Sequence, residues 1–535
     1  MQNTPEDLCA DFNLAGDIYR HSLTDPDRVA IESEYGCVTY RDAAIRGAQL
    51  AQALRSSPAW VRPDGLPARV GILGSRSIDA RLAVIGACWS GATYVPIGVK
   101  FPQDRVLSIL AQCDLAALIV DEEGVGLLSR ELLAACPPLL LVPDATVVDV
   151  SGLSHVRALS ISGLPQAHGT APRPVQADDT AYMIFTSGTT GVPKGVMVPA
   201  AAARHYTSTM AAYMDLTADD RVLDTFELTF DFTVHTMFPT WFAGAAHCLL
   251  SARRVMNAVK YVKSSGITVW NSVPSLVGML RQMRALGAGE LPGVRLTLLG
   301  GEPVTKNVVD VWRTVAPNSE IVNVYGPTET TVIVFALRVP DPVDTTPGRD
   351  VVPIGFPLSG VDVRVVDERG EQVAPGNYGE LAISGVQVTQ GYLHLPALTA
   401  ERFPTMQGKR WFLSGDRVMC DAAGLYHCFG RIDGQVKVLG HRIELEDVDA
   451  NVRLATHADV VGTVPWPLVD GMATGLVSFV VAESIDTDVV MQDLEARLPV
   501  YMVPKRIVML AQMPFNSSGK VDRAALVAML QDGAA

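Results

Sequence analysis

Residues 182–198 read YMIFTSGTTGVPKGVMV, and the rest of the chain is organised around them. An apolar, β-rich run opens this segment and another closes it, which predicts a loop of hydroxyl residues and glycines between two strands. Glycines let several backbone N–H groups converge on one anion, while the hydroxyls add donors and Lys194 adds a positive charge. The lysine spacing differs from the GxxxxGK[ST] pattern of P-loop nucleotide triphosphatases. The segment therefore predicts a phosphate-binding loop of another kind.

The ten residues TSGTTGVPKG, from Thr186 to Gly195, resemble the phosphate loop of the adenylate-forming superfamily. This superfamily includes acyl-CoA synthetases, luciferases and the adenylation domains of nonribosomal peptide synthetases. Its members join a carboxylate to AMP, release pyrophosphate and usually pass the acyl group to a thiol. The resemblance implies that ATP phosphates contact Thr186, Ser187, Gly188, Thr189, Thr190 and Lys194.

The composition is typical of a well-packed enzyme with more than one domain. The chain has 535 residues, more than one hydrophobic core normally serves. Its hydrophobic content of 48% and charged content of 19% exclude a disordered chain. The formal net charge of -14 argues against a nucleic acid or a membrane surface as partner, because both require a basic face.

Targeting signals and metal-binding cysteine patterns are not found. The amino terminus lacks the features of a secretory signal, and no apolar run approaches the roughly 18–20 residues that cross a bilayer. The eight cysteines form no C-x-x-C pair, as expected of reduced core thiols. Cys420, His427 and Cys428 lack a nearby fourth ligand for zinc. We therefore predict a cytoplasmic protein.

Apolar runs alternate with helix-like segments along the first 430 residues. Short apolar runs at 70–73, 93–97, 117–120 and 139–142 predict strands, and TYRD at 39–42 predicts a helix capping box. This alternation predicts a multi-layer α/β domain with largely parallel sheets over residues 1–430. The superfamily resemblance adds a small α+β domain over residues 431–535, giving the adenylate-forming enzyme fold.

The small domain is recognised by the segment GRIDGQVKVLGHRIE at residues 430–444. This segment resembles the family motif at the start of the mobile domain. The resemblance implies that Arg431 contacts the ribose and that Asp433 is the hinge about which the small domain turns.

The segment FDFTVH, residues 230–235, resembles the part of peptide-synthetase adenylation domains that binds the substrate amine. A buried ammonium needs a carboxylate partner, which Asp231 would supply, selecting amino acids over plain acids. An aspartate at this position also suits a helix N-cap, and the sequence leaves that alternative open. The resemblance implies that the remaining pocket residues are Phe232, His235, Ser272, Thr297, Leu299, Val324, Val332 and Ile333. This set predicts a neutral, small to medium amino-acid side chain.

Two predicted turns at strand ends indicate the nucleotide site. GGEP at 300–303 follows one apolar strand, and NVYGPTETT at 323–331 follows another. By the resemblance, Gly301, Glu302 and Pro303 lie along adenine, Asn323 meets its amine, Tyr325 stacks on its ring and Gly326 completes the turn. Asp416, in SGDR at 414–417, would bind the ribose hydroxyls.

The catalytic residues implied by the resemblance are Thr328, Glu329 and Lys520. Thr328 would contact the α-phosphate or the reacting carboxylate. Glu329 would hold Mg2+ against the phosphates, as a hard oxygen ligand for a hard cation. Lys520, in NSSGKVDR at 516–523, would stabilise negative charge as the carboxylate attacks phosphorus, and would then withdraw.

We therefore predict a stand-alone ligase that uses ATP and Mg2+ to activate an amino acid. It would load the phosphopantetheine thiol of a separate carrier protein. One alternative is an acyl- or aryl-CoA ligase that uses free coenzyme A, against which Asp231 argues. A second alternative is a catalytically silent homologue that only binds nucleotide or carrier.

Overall fold

A computed structural model describes residues 12–143, 148–167, 169–187, 193–432, 435–458, 460–469, 472–482, 484–515 and 521–531. The described residues form several sheets and numerous helices, which confirms the predicted multi-layer α/β architecture. None of the described helices is both long enough and apolar enough to span a membrane.

The first large sheet carries several of the residues predicted to bind adenine and the substrate acid. Its central strands are parallel, and the strand Glu320–Tyr325 pairs antiparallel with Phe335–Arg338. In spatial order its nine described strands are Phe356–Pro357, Phe335–Arg338, Glu320–Tyr325, Leu296–Gly300, Val269–Ser272, Arg221–Asp224, Ala246–Leu249, Val29–Ser33 and Gly36–Thr39.

The second large sheet carries the two strands that flank the predicted phosphate loop. These two strands, Thr180–Thr186 and Lys194–Pro199, pair antiparallel. Gly391–Tyr392 also pairs antiparallel with Lys194–Pro199, while the strands on the other side of Thr180–Thr186 are parallel. In spatial order its eight described strands are Gly391–Tyr392, Lys194–Pro199, Thr180–Thr186, Thr93–Gly98, Arg69–Gly74, Ala117–Val120, Leu139–Val142 and Arg157–Ser160.

Helices fill the space between the two large sheets and cover their outer faces. Alternate strand residues belong to different hydrophobic clusters, as the two-residue period of a strand requires. Val70, Ile184 and Val324 face the shared inner layer, whereas Leu118 and Leu299 face the outer layers. The helices of this part are Gly16–Thr24, Tyr40–Leu54, Ile78–Trp89, Gln103–Cys113, Glu122–Val125, Arg130–Ala134, Ala200–Tyr213, Phe232–Ala243, Ala258–Ser264, Pro274–Gln282, Lys306–Val315 and Pro396–Arg402, with 3-10 turns at Ala252–Asn257 and Thr328–Thr330.

Local sequence signals account for the helix starts. The Thr39 hydroxyl accepts a hydrogen bond from the Asp42 N–H at 3.1 Å, so the predicted capping box begins Tyr40–Leu54. Ser77 caps Ile78–Trp89 in the same way, through the Ala80 N–H. These caps satisfy N–H groups that a helix start leaves without partners.

A third, antiparallel sheet follows in the chain and leads to the carboxyl end. Its strands are Val361–Val366, Tyr378–Gly385, Phe412–Cys420 and Tyr426–Arg431, with a short hairpin of Thr405–Met406 and Lys409–Arg410 nearby. Asp416 and Arg431 are register partners on its last two strands. The predicted ribose contacts are therefore brought together by strand pairing.

The described residues from 435 to 531, here called the C-terminal segment, form two further small sheets with their own apolar clusters. One sheet orders its strands as His441–Glu444, Gln435–Val438, Met472–Ala473 and Leu468–Val469. The other consists of Val461–Pro465, Leu476–Val481 and Arg506–Leu510. The helices are Leu445–Thr456, Thr487–Arg497 and Arg523–Gln531, with a 3-10 turn at Val500–Met502.

Candidate active site

A cavity of about 100 Å³ lies where strands of both large sheets end, beneath the C-terminal segment. The carboxyl ends of parallel strands are the usual location of ligand sites in such folds. The strands Gln435–Val438 and His441–Glu444 form a hairpin, here called the covering hairpin, that closes the cavity from above. The predicted site residues that line it are Thr186, Ser187, Asp231, Phe232, Gly301, Val324, Tyr325, Gly326, Thr328, Val332, Ile333, Asp416 and Arg431.

Asp231 lies in this cavity and is held by Thr328. It directly precedes the helix Phe232–Ala243, yet its side chain makes no capping hydrogen bond. The Thr328 hydroxyl instead donates a 2.6 Å hydrogen bond to the Asp231 carboxylate. Burial raises the pKa of Asp231 to about 6, although this hydrogen bond acts in the opposite direction. The site therefore contains a partly buried carboxylate, and no ion pair joins it to a lysine or arginine of the described residues.

Glu329 is fully buried next to the cavity and is engaged through both of its oxygens. Arg442 of the covering hairpin donates to one oxygen at 2.6 Å, and the Tyr392 hydroxyl donates to the other at 2.8 Å. Burial alone would raise the pKa of Glu329, but the charges of Arg442 and Lys194 lower it to about 2. The carboxylate is therefore ionised throughout the physiological range.

Lys194 and Ser187, at the two ends of the predicted phosphate loop, also contact the covering hairpin. The buried Lys194 ammonium lies 3.4 Å from the Glu444 carboxylate, which also accepts from the Gln435 amide. The Ser187 hydroxyl donates to the Arg442 carbonyl at 2.9 Å. Burial, followed by the nearby Arg442 charge, lowers the pKa of Lys194. The buried Thr186 hydroxyl is near the cavity that this residue lines and has no hydrogen-bond partner among the residues that the structure describes.

Tyr325, Asp416 and Arg431 form a connected group at one side of the cavity. The Tyr325 hydroxyl donates to the Asp416 carboxylate, and Arg431 lies 3.3 Å from the same carboxylate. Gly326 continues the Tyr325 turn, and a Cβ atom there would lie 2.2 Å from the Val332 carbonyl oxygen. Only glycine lets this turn pack against the loop that carries Val332.

Asn323, Glu302 and Pro303 lie around the cavity without lining it. The buried Asn323 amide donates to the Pro353 carbonyl at 2.7 Å. Glu302 accepts from the Ser275 N–H at 2.9 Å and from the Gly440 N–H of the covering hairpin at 2.6 Å, and burial raises its pKa. Pro303 is exposed.

Four residues predicted for the acid pocket lie away from the cavity. Thr297, Leu299 and Ser272 share the sheet face opposite to Val324, because strand register places Gly300, rather than Leu299, beside Val324. Trp312 and Trp270 donate to the Thr297 and Ser272 hydroxyls at 2.7 Å and 2.8 Å.

The fourth, His235, lies behind Phe232 and has both ring nitrogens engaged. Tyr206 Oη is 2.8 Å from Nδ1, and Asn271 Oδ1 is 3.2 Å from Nε2. Burial lowers the pKa of His235 to about 4, so the ring is neutral at pH 7. It belongs to the core that supports the pocket wall.

Predicted residues Gly188, Thr189, Thr190, Asp433 and Lys520 lie outside the described residues. Conversely, the structure adds functional contacts that the motifs did not assign. Arg442 and Glu444 occur in the GRIDGQVKVLGHRIE segment without a predicted role, and no local signal indicates Tyr392. Each of the three contacts a predicted site residue that lies between 63 and 250 positions away in the sequence.

Within the described residues there is no cluster of three or more His, Cys, Asp or Glu side chains that could hold a metal. Glu329, the predicted magnesium ligand, would therefore act as a single carboxylate. Mg2+ is commonly bound by one or two carboxylates together with substrate phosphates, and an ionised glutamate next to a predicted phosphate loop fits that pattern.

The chain is similar to proteins of known activity along most of its length. The family model described as AMP-binding enzyme matches residues 18–393. The D-alanine--D-alanyl carrier protein ligase of Lacticaseibacillus rhamnosus is 31% identical over 96% of this chain and 99% of the relative. Tyrocidine synthase 3 of Brevibacillus parabrevis is 31% identical over 94% of this chain, which spans only 7% of that relative. The Vibrio cholerae adenylation domain AlmE, in complex with glycyl-adenosine-5'-phosphate, is 27% identical, with a TM-score of 0.83 over 99% of both chains.

Proposed function

Because the chain belongs to the AMP-binding enzyme family, we propose that it activates an amino acid with ATP and loads a separate carrier protein. In the first step, a carboxylate oxygen of the amino acid bonds to the α-phosphorus and pyrophosphate leaves. In the second step, the phosphopantetheine thiol loses its proton, its sulfur bonds to the carbonyl carbon and AMP leaves. Similarity to a D-alanyl carrier protein ligase and to a domain that binds a glycyl adenylate supports both steps.

The observation that carries this proposal is the position of Asp231. Its partly buried carboxylate lies in the same cavity as Tyr325 and Asp416, which are the proposed adenine and ribose contacts. An ammonium group there would donate a charge-assisted hydrogen bond to the Asp231 carboxylate. Thr328 links Asp231 to the turn that carries Glu329. One connected set of residues would therefore align the amine and the carboxylate of the substrate with the α-phosphate of ATP.

Glu329 is the proposed magnesium ligand, and Lys194 is a proposed phosphate contact. Bound Mg2+ would neutralise charge on the phosphates during attack. The ionised state of Glu329 suits this role, although Arg442 and Tyr392 hold both oxygens while the covering hairpin is docked. Glu444 likewise holds Lys194. Each nucleotide-binding charge is therefore matched by an opposite charge on the covering hairpin.

The size of the cavity supports a movement of the C-terminal segment. Ligand sites are commonly about 300–1,000 Å³, whereas the space beneath the docked hairpin is about 100 Å³. The hairpin therefore withdraws to admit ATP. We place the domain boundary between residues 430 and 431, with Asp433 as the hinge and Lys520 as the residue that moves in for the first step. Separate apolar clusters in the C-terminal segment support its behaviour as a unit.

A crevice of about 490 Å³ suits the entry of the carrier thiol, and we call it the side crevice. It shares Phe230 and His441 with the active-site cavity, so the two spaces meet at these rings. His441 stacks on Tyr501 with ring centroids 3.7 Å apart. The walls combine apolar residues, including Val273, Leu276, Met279, Leu439, Val469 and Met472, with polar ones such as Ser275, Gln282 and Thr474, so they could contact both the methylene and the amide groups of a pantetheine arm.

The direct test is exchange of labelled pyrophosphate into ATP by the purified chain with Mg2+ and a panel of free acids. We expect exchange with amino acids and none with fatty or aryl acids. A second assay compares transfer to a phosphopantetheinylated carrier protein with transfer to free coenzyme A. Exchange with plain acids and transfer to coenzyme A would identify a CoA ligase, and no exchange with any acid would indicate a silent homologue.

A further inference from the structure

The wall of the cavity next to Asp231 is formed by large apolar side chains. Phe232, Val324, Val332 and Ile333 line the cavity there and are each less than 5% exposed. The wall has no gap at the strand end, because a Cβ atom on Gly300 would lie 2.6 Å from Val324 Cγ2 and 3.0 Å from Phe232 Cε2. The Phe232 ring therefore closes the space into which a substrate side chain would extend.

The Phe232 ring is fixed from behind by other rings. Its centroid lies 4.5 Å from that of Phe226 in a stacked arrangement and 5.1 Å from that of His235 in an edge-on arrangement. Hydrogen bonds from Tyr206 and Asn271 hold His235 in turn. Moving Phe232 would disturb close packing and a buried polar network, both of which resist displacement.

The opposite side of the wall is held with similar firmness. Val332 has a φ of 67°, a conformation that β-branched residues rarely adopt. The buried Gln387 amide binds this loop through the Ile333 carbonyl at 2.9 Å and the Thr331 carbonyl at 3.3 Å. The Thr331 hydroxyl donates back to the Gln387 carbonyl at 2.7 Å. A strained loop held at several points keeps Val332 and Ile333 against the cavity.

We infer that Phe232 restricts the substrate to amino acids without a side chain or with a methyl side chain. This inference rests on the proposed function and narrows it to the class of glycine, alanine and β-alanine. The four side chains of this wall, those of Phe232, Val324, Val332 and Ile333, are all apolar and offer no partner to a polar or charged substrate side chain. Asp231 therefore binds the amine, while the wall rejects larger substrates by volume.

The test measures pyrophosphate exchange with glycine, L-alanine, D-alanine, β-alanine, valine, leucine and phenylalanine. For the natural protein, we expect kcat/KM for leucine and phenylalanine to be at least about 10-fold below that for the best small substrate, since one methylene is worth roughly 10–200-fold. Phe232→Ala is expected to raise kcat/KM for leucine about 10-fold or more and to lower that for glycine. Phe232→Leu, which retains more of the packing, should give a smaller shift in the same direction.

The matched control is Phe356→Ala, because Phe356 is 47% exposed on the edge strand Phe356–Pro357. It should leave the substrate profile unchanged. Use of leucine or phenylalanine by the natural protein at rates near those of alanine would overturn the inference and leave the proposed function intact. An unchanged profile in a folded Phe232→Leu protein would also overturn it. Exchange with no amino acid at all would instead refute the proposed function.

Discussion

The Glu329 carboxylate lies 2.6 Å from the Arg442 guanidinium, although 113 residues separate them in the chain. Glu329 is buried and Arg442 is partly buried, and together with Lys194 and Glu444 they join the covering hairpin to the proposed nucleotide site. The Arg442 guanidinium is paired with the Glu329 carboxylate, which would otherwise hold Mg2+. The Glu444 carboxylate is likewise paired with the Lys194 ammonium, which would otherwise bind phosphate. Docking of the hairpin and binding of magnesium nucleotide therefore compete for the same charges.

Arg442→Ala should affect adenylate formation and carrier loading differently. Removal of the guanidinium frees Glu329, so we expect exchange to reach half its maximum at a lower Mg2+ concentration. Loss of one partner from a buried ion pair should slow carrier loading from preformed adenylate by about 10-fold or more. Titration of exchange with Mg2+ and single-turnover loading measure the two effects. Arg417→Ala, at an exposed position, is the control, and an equal loss of both steps would contradict the competition.

Asp231 should make amino-acid binding depend on pH. Burial raises its pKa to about 6, and only the ionised carboxylate attracts an ammonium. We therefore expect KM for the amino acid to rise as the pH falls below about 6, while KM for ATP stays constant.

Asp231→Asn should raise the amino-acid KM by about 10-fold or more, because hydrogen bonds to charged groups are worth about 1.5–3 kcal/mol. The substitution should also abolish the rise in the amino-acid KM that is expected as the pH falls below about 6. Since a raised pKa means that the ionised form is disfavoured in the folded protein, this variant should unfold at a temperature no lower than the natural protein at pH 7. A pH profile identical in both proteins would return Asp231 to a structural role.

Lys520→Ala should abolish adenylate formation, with a loss of roughly 100-fold or more expected for a group that stabilises transition-state charge. Thioester formation from supplied aminoacyl adenylate should be largely retained, because the lysine is proposed to act only in the first step. Exchange and loading assays on the same preparation test this difference. Lys260→Ala, on the exposed side of Ala258–Ser264, is the matched control. Parallel loss of both activities would refute the proposed division of roles.

Met279→Trp should obstruct the side crevice that Met279 lines. We expect amino-acid-dependent exchange to be retained, since the substitution lies outside the active-site cavity, and carrier loading to fall by about 10-fold. Met283→Trp is a close control, because Met283 is 43% exposed just beyond the same helix and does not line the crevice. Equal loading by both variants would exclude this route for the thiol.

Many of the residues that line the cavity could be predicted from short motifs. Phosphate-loop residues Thr186 and Ser187, the Tyr325 turn and Asp416 all line one cavity, as their positions after strands predict. Motifs of this kind can be recognised in a sequence because turns and hydroxyl-rich loops depend on local residue types. The helix cap at Thr39 was predicted for the same reason.

The acid pocket was predicted less well, because a motif position does not state which sheet face a side chain occupies. Thr297 and Leu299 alternate with Leu298 and Gly300, and a shift of one residue moves a side chain to the other face. The register with the strand Glu320–Tyr325 therefore decides that Val324 lines the cavity and that Thr297 contacts Trp312 instead.

The sequence by itself determined the layered α/β architecture, the family and the kinds of group offered to nucleotide and amine, since each follows from residue type and spacing within a few positions. Only the tertiary structure decided that Arg442 meets Glu329, that Thr328 holds Asp231 and that Phe232 closes the pocket. These contacts join residues far apart in the chain. Their distances depend on sheet register and on docking of the C-terminal segment, neither of which is specified by any local stretch of residues.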